Sequence, residues 1–436
     1  MNAPARRLRS TLTDRAATAA FAVLVVAGDF EFRRRDVEQA TRGSIDLATI
    51  GELLAYAVVG GWLLLTVARP IGRTPRPWLL QTLVALCLAL AVSALWAPSP
   101  ALATARAFQL LVSVGLVVAV AARARAGTWY AIAHGYVMVV NAGIAIGLVY
   151  QRPGDLQTTG RFMWLYGHPV VSASMLTVSA LLLFGWWTDA GLPRRWSATT
   201  YGLLFGAHAL ALFATETRGS LLAFVAGLTV TLLARHRRRT RSDLILLGAL
   251  ATPPLIGLTF PLLKAIALRG ETVGQLKSLN SRAGLWSAAW AAFSRRPLIG
   301  QGYFSSRELF LETIGLGGAH NAYIEIGLSA GLIGLTLFIA VLIGTVRRLR
   351  AGEPDAEKAL LTGLFAAMLV NGLTAQYLAQ AGTSADLLFL LVVAWVATNA
   401  GTPAAGTTAS AAATGTTSTL VPRGARHAPN PPVNAA

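Results

Sequence analysis

Along this chain, long apolar blocks alternate with short polar breaks, and few stripes show the three-to-four-residue spacing of a helix half-buried in a soluble core. Blocks of about 18 apolar residues or more can cross a hydrocarbon layer as helices. Together with a shorter first run, they predict twelve spans, near 16–28, 46–68, 78–96, 101–121, 128–150, 169–188, 197–213, 217–234, 242–262, 320–346, 359–376 and 384–400. Trp78, Trp96, Trp129, Tyr150, Trp186 and Trp187 stand at block ends, where amphipathic rings meet the headgroups. One segment differs. Residues 282–296 place Leu285, Trp286, Ala289, Trp290 and Phe293 on one helical face. They predict an amphipathic helix in a long loop, 263–319, lying on the membrane or capping a cavity. Pro297 would stop that helix, and Gly300-Gln301-Gly302-Tyr303 reads as a turn.

The fold expected is therefore an all-α polytopic membrane protein, with residues 1–400 as one transmembrane domain. Residues 401–436 are Ala, Thr, Gly, Ser and Pro with almost no large apolar side chain, which predicts a disordered cytoplasmic tail. Leu420-Val421-Pro422-Arg423-Gly424 within it has the form of a site-specific protease sequence, and the tail is assigned no function. Composition agrees with the pattern: 54% hydrophobic and 13% charged residues leave too little charge to cover a soluble domain.

Charge then sets an orientation. The net charge of +18 would suggest nucleic acid in a soluble protein, but no basic, aromatic-interleaved soluble module exists here to bind it. With the N-terminus in the cytoplasm, the inner loops near 69–77, 122–127, 189–196, 235–241 and 347–358 hold 16 Lys+Arg in about 42 residues. The short outer loops near 97–100, 214–216 and 377–383 hold none, as the positive-inside rule requires. Loop 29–45 dissents, with Arg33, Arg34, Arg35 and Arg42 offset by Asp29, Glu31, Asp36 and Glu38. The reading places both termini in the cytoplasm and the long loop outside. Cys87, the lone cysteine, excludes an intramolecular disulfide and a cysteine metal cluster.

Ionisable groups at or beside membrane depth are costly and mark functional sites. Four basic residues reach the outer side next to small residues: Arg161, Arg218, Arg282 and His320. A lone arginine near a span end is commonly a snorkelling anchor, so the signal is their conjunction. Guanidinium groups suit phosphate because their planar, bidentate donors hold charge at any pH. Arg106 near the outer end of the fourth span, His168 beside Pro169, and Asn321, Tyr303 and Glu325 are further candidates. Glu325, five residues after His320, would point about 140° from it on a helix and could pair with Asn321 or line the cavity. No outer Asp-x-Asp or His-x-x-x-His arrangement suggests a metal, and no phosphate-binding loop or dinucleotide fingerprint suggests a cofactor.

Three pieces, in order, carry a resemblance: Thr217-Arg218-Gly219-Ser220; Ser281-Arg282…Trp286 leading to Pro297…Gly300-Gln301-Gly302-Tyr303; and His320-Asn321…Gly331-Leu332-Ile333-Gly334. They resemble the O-antigen ligase family and its superfamily of O-antigen polymerases and protein O-glycosyltransferases. The resemblance implies a GT-C-like, metal-independent, inverting transferase of the bacterial inner membrane, active on the periplasmic side. The implied donor is a glycan on undecaprenyl pyrophosphate, and the implied acceptor a sugar hydroxyl of lipid A–core. Arg161, Arg218 and Arg282 would grip the pyrophosphate. His320 would sit beside the acceptor, where an imidazole of ordinary pKa about 6.5 can take its proton. A polymerase would use the same site on another lipid-linked glycan. A flippase would instead predict internal repeats and midplane charges, which this sequence lacks.

Overall fold

The structure is a computed structural model that describes residues 3–30, 46–67, 77–123, 126–150, 160–165, 168–235, 282–314, 317–351, 355–378 and 380–399. All regular structure among them is helical. The helices are α1 (Ala3–Asp29), α2 (Leu47–Val67), α3 (Trp78–Ser93), α4 (Pro100–Arg123), α5 (Ala126–Val149), α6 (Pro169–Thr188) and α7 (Ala198–Ala214). They continue with α8 (Arg218–Arg235), α9 (Arg282–Arg295), α10 (Ser305–Ile314), α11 (Ala322–Arg350), α12 (Ala356–Gly372) and α13 (Ser384–Asn399). Eleven of the twelve predicted spans coincide with a helix. The segment 242–262, most of the loop before Arg282, and the tail 401–436 lie outside the described residues. Among the described residues, seven helices are long and apolar enough to cross a membrane by length and composition, which makes this a multi-pass membrane protein.

The helix ends sort into two layers. At one, Phe162 donates its N–H to Ala214 (2.8 Å), Ser384 N–H reaches Asp29 (2.9 Å) and Ala381 N–H reaches Tyr303 (2.9 Å). At the other, Tyr130 and Trp395 both donate to the Glu357 carboxylate (2.7 Å each), and Trp129 stacks on Trp395. We call these the His320 end and the Glu357 end.

Small residues let α8 and α12 approach closely. Gly219, Ala223, Gly227 and Thr231 recur every fourth residue on α8, and Ala359, Gly363, Ala367 and Asn371 do so on α12. A Cβ at Gly227 would stand 2.8 Å from the Ala367 Cβ and 2.9 Å from the Gly363 carbonyl. Packing of this kind holds helices together in lipid, where the solvent offers no hydrophobic drive between them. Beside it, Ser220 donates to Asn371 Oδ1 (3.2 Å), Asn371 Nδ2 to Ser174 (2.8 Å), and Thr177 to the Ser220 carbonyl (3.2 Å). Such bonds between membrane helices average about 0.6 kcal/mol each, so they fix register more than they add stability.

The segment predicted as one helix over 320–346 is broken. Ala330 and Gly331 leave helical geometry, Gly331 at φ 62° and ψ −153°. The freed backbone groups are recovered by the turn after α9. Gln301 and Gly302 donate to the carbonyls of Leu328 (2.6 Å) and Ser329 (3.1 Å), while Leu332 and Ile333 donate to those of Pro297 (2.8 Å) and Leu298 (3.3 Å). Irregular backbone survives beside lipid only when protein satisfies it this way. A Cβ at Gly300 would stand 2.5 Å from the Leu328 carbonyl, so the two backbones meet where only glycine fits. The glycine-rich motif pieces are thus two halves of one lock.

Candidate functional site

Arg161 bridges two segments at the His320 end. Its Nε donates to the Thr215 carbonyl (2.8 Å) and its Nη2 to the Thr217 hydroxyl (3.0 Å). The turn it holds passes through Glu216 at φ 50° and delivers Arg218 to the first position of α8. Arg161 and Arg218 therefore share one loop pair, and both are half-buried.

The segment following α12 links this pair to His320. Any side chain at Gly219 would overlap Thr374, and any at Gly318 would overlap Gln376, so residues 373–376 lie pressed between the start of α8 and the start of α11. Asn321 caps α11 by accepting from the N–H groups of Tyr323 (3.0 Å) and Ile324 (3.1 Å), and its own amide donates to the Leu373 carbonyl (3.2 Å). His320 thus precedes the helix it was expected to open, in a left-handed turn at φ 49°. That conformation costs a histidine free energy and recurs at functional sites.

The same turn corrects the expectation for Glu325. Because His320 is not helical, the 140° separation does not apply. The buried Glu325 carboxylate turns back and accepts from the Ala319 N–H (2.6 Å), bracing the His320 turn from below. Gln376, with its amide oriented to suit its neighbours, donates to Glu325 (3.0 Å) and accepts from Arg307 (3.2 Å). Arg307, which sequence reasoning missed, also lies over the Phe304 ring at 5.8 Å. Its only sequence signal was a basic residue inside the outer loop.

Other candidates take structural positions. Arg106 pairs with Glu52 (2.9 Å), donates to Gln109 (2.8 Å) and lies over Phe304 at 5.7 Å; it joins that cluster instead of Arg161 and Arg218. His168 is exposed and caps α6 by accepting from the Val170 N–H (3.2 Å). Tyr303 is buried, its hydroxyl accepting from Ala381, and burial pushes that phenol well above its usual range. Arg282 opens α9, and what its side chain meets lies outside the described residues. In α9, Leu285, Ala289 and Ala292 pack with Phe310, Ala319 and Leu328, and Trp286 donates to the Ala319 carbonyl (3.3 Å). Trp290, expected on that face, is instead 69% exposed and stacks on Phe293. The smaller Ala292 packs in that cluster instead.

Behind residues 373–376, a narrow cleft with room for about one water lies between α6 and α12, lined by Ser174, Thr177, Asn371 and Tyr377 among others. Arg161, Arg218 and His320 are not in its walls.

Comparison with known proteins agrees with the motif reading. The chain is 32% identical over 114 residues to the exopolysaccharide production protein ExoQ of Rhizobium meliloti (strain 1021), a match covering 22% of this chain and 26% of that protein. The chain thus matches about a quarter of the length of that relative. Residues 201–339, running from α7 into α11 and including Arg218, Arg282 and His320, match the family model described as O-antigen ligase; Arg161 and residues 373–376 lie outside the match.

Proposed function

We propose that this protein transfers a glycan from undecaprenyl pyrophosphate to a sugar hydroxyl of lipid A–core at the periplasmic face of the bacterial inner membrane. The observation that carries the reading is the gathering of Arg161, Arg218 and His320 around residues 373–376, at one end of the bundle. Arg161 and Arg218, with Arg282 from the loop, hold the donor pyrophosphate. Charge builds on that leaving group in the transition state, and fixed guanidinium groups stabilise it without reorganising. His320, held by the Asn321 cap and the Glu325 brace, takes the proton from the attacking hydroxyl. Attack opposite the pyrophosphate inverts the anomeric carbon, and no metal takes part in the step. The twelve-span GT-C-like topology with cytoplasmic termini belongs to the same proposal.

A second reading is favoured by the relative named for exopolysaccharide production. In it the same residues act on a second lipid-linked glycan as acceptor, making the enzyme a polymerase. The surface polysaccharide of a deletion strain separates the two. Loss of long lipopolysaccharide chains, with polymer accumulating on the carrier lipid, identifies the ligase; carrier lipid bearing only single repeat units identifies the polymerase. A strain with unchanged glycans on both carriers removes both readings.

A further inference from the structure

The turn locked into the break of α11 carries apolar side chains outward. Leu298 is 63% exposed and Ile299 44%, and the α11 residues bonded to that turn, Leu332 and Ile333, are 46% and 50% exposed. Leu332 and Ile333 begin the row that continues through Ile339 and Ile343 along the outer face of a membrane-spanning helix. The patch is therefore continuous with a surface that faces acyl chains.

Its depth follows from helix geometry. Gly331 precedes Arg347 by sixteen residues, or about 24 Å at 1.5 Å per residue. With Arg347 at one boundary of a hydrocarbon layer about 30 Å thick, Leu298 and Ile299 lie just inside the other boundary. Trp286, Trp290 and Phe293 cluster on one flank of α9, within about 60° of arc, and Trp290 projects from it. Arg295 and Arg296, both exposed, directly precede Pro297 and Leu298 in the chain.

We infer that residues 290–299 are a membrane insert: Trp290, Leu298 and Ile299 enter the leaflet at the His320 end, and Arg295 and Arg296 meet anionic headgroups. Because α9 shares its small core with Ala319, the neighbour of His320, the insert fixes the height of the His320 turn relative to the bilayer. On the transferase reading, that height is where a lipid-linked pyrophosphate would lie.

The insert is tested by spin labels on single cysteines in a Cys87→Ser background, with the full chain in nanodiscs of phosphatidylglycerol and phosphatidylethanolamine. Leu298→Cys and Ile299→Cys should match Ile333→Cys, with accessibility to oxygen several-fold above that to a nickel chelate. Ala291→Cys, on the exposed far side of α9, should show the opposite order. Arg295→Gln/Arg296→Gln should shift the Ile299 label toward the aqueous reagent. Nickel accessibility at 298 and 299 equal to that at 291 overturns the proposal. So does shielding of both labels from both reagents, which would mean that a protein covers the patch. Neither result depends on transfer activity, so failure of the insert and failure of the transferase reading are told apart.

Discussion

The two ends of the bundle are built by opposite means. At the Glu357 end, helices stop in ordinary ways: Ser197 and Asp355 cap α7 and α12 with their side chains, and Arg194 donates to the carbonyls of Trp186 (2.6 Å) and Trp187 (3.0 Å). His134 stacks on Trp186 and bonds to Tyr201 (2.8 Å). The backbone there is relaxed: among the described residues, no non-glycine residue at that end has a left-handed φ. At the His320 end lie all four non-glycine residues with left-handed φ among the described residues: Leu165, Glu216, Phe304 and His320. Strain of this kind costs of order 1 kcal/mol or more per residue, and packing must hold it. One end closes the bundle, and the other spends part of that closure on aiming side chains.

Substitutions can break this contrast. The largest effect should follow His320→Ala, which on the proposed mechanism lowers transfer by about 10²–10⁴-fold with helical content unchanged, measured with purified protein and lipid-linked donor. Arg161→Lys should come next. An ammonium keeps the charge but cannot span Thr215 and Thr217 in the fixed fork of a guanidinium, so transfer should drop well over tenfold while the midpoint of thermal unfolding falls slightly. Gly227→Leu between α8 and α12 should cost about 1–3 kcal/mol through overpacking, seen as a lower unfolding midpoint in detergent. The smallest effect belongs to the Glu357 end. Glu357→Gln weakens the bonds from Tyr130 and Trp395, which should lower stability by about 1 kcal/mol and leave transfer unchanged.

What the sequence showed and hid follows the same division. Membrane helices were legible because an unbroken apolar block has few alternatives, and Arg161, Arg218 and His320 were legible as costly charges beside them. The break in α11 was hidden because Gly331 sits in an otherwise apolar run, and only its partner turn at 297–302 explains it. Arg106 was a further candidate because its neutralising Glu52 lies on another helix. Arg307 and Gln376 were invisible because the bonds that run from Arg307 through Gln376 to Glu325 join separate segments. Pairings between distant segments decide which cation belongs to the site.

The most direct measurement separates binding from chemistry at that site: lipid-linked pyrophosphate donor titrated against the purified chain in nanodiscs, with transfer followed in the same sample. The account predicts that His320→Ala binds donor as the natural protein does but transfers it at least about a hundredfold more slowly, while Arg161→Ala/Arg218→Ala binds it far more weakly. Undiminished donor binding by the double arginine variant, or transfer at the natural rate in His320→Ala, would contradict it.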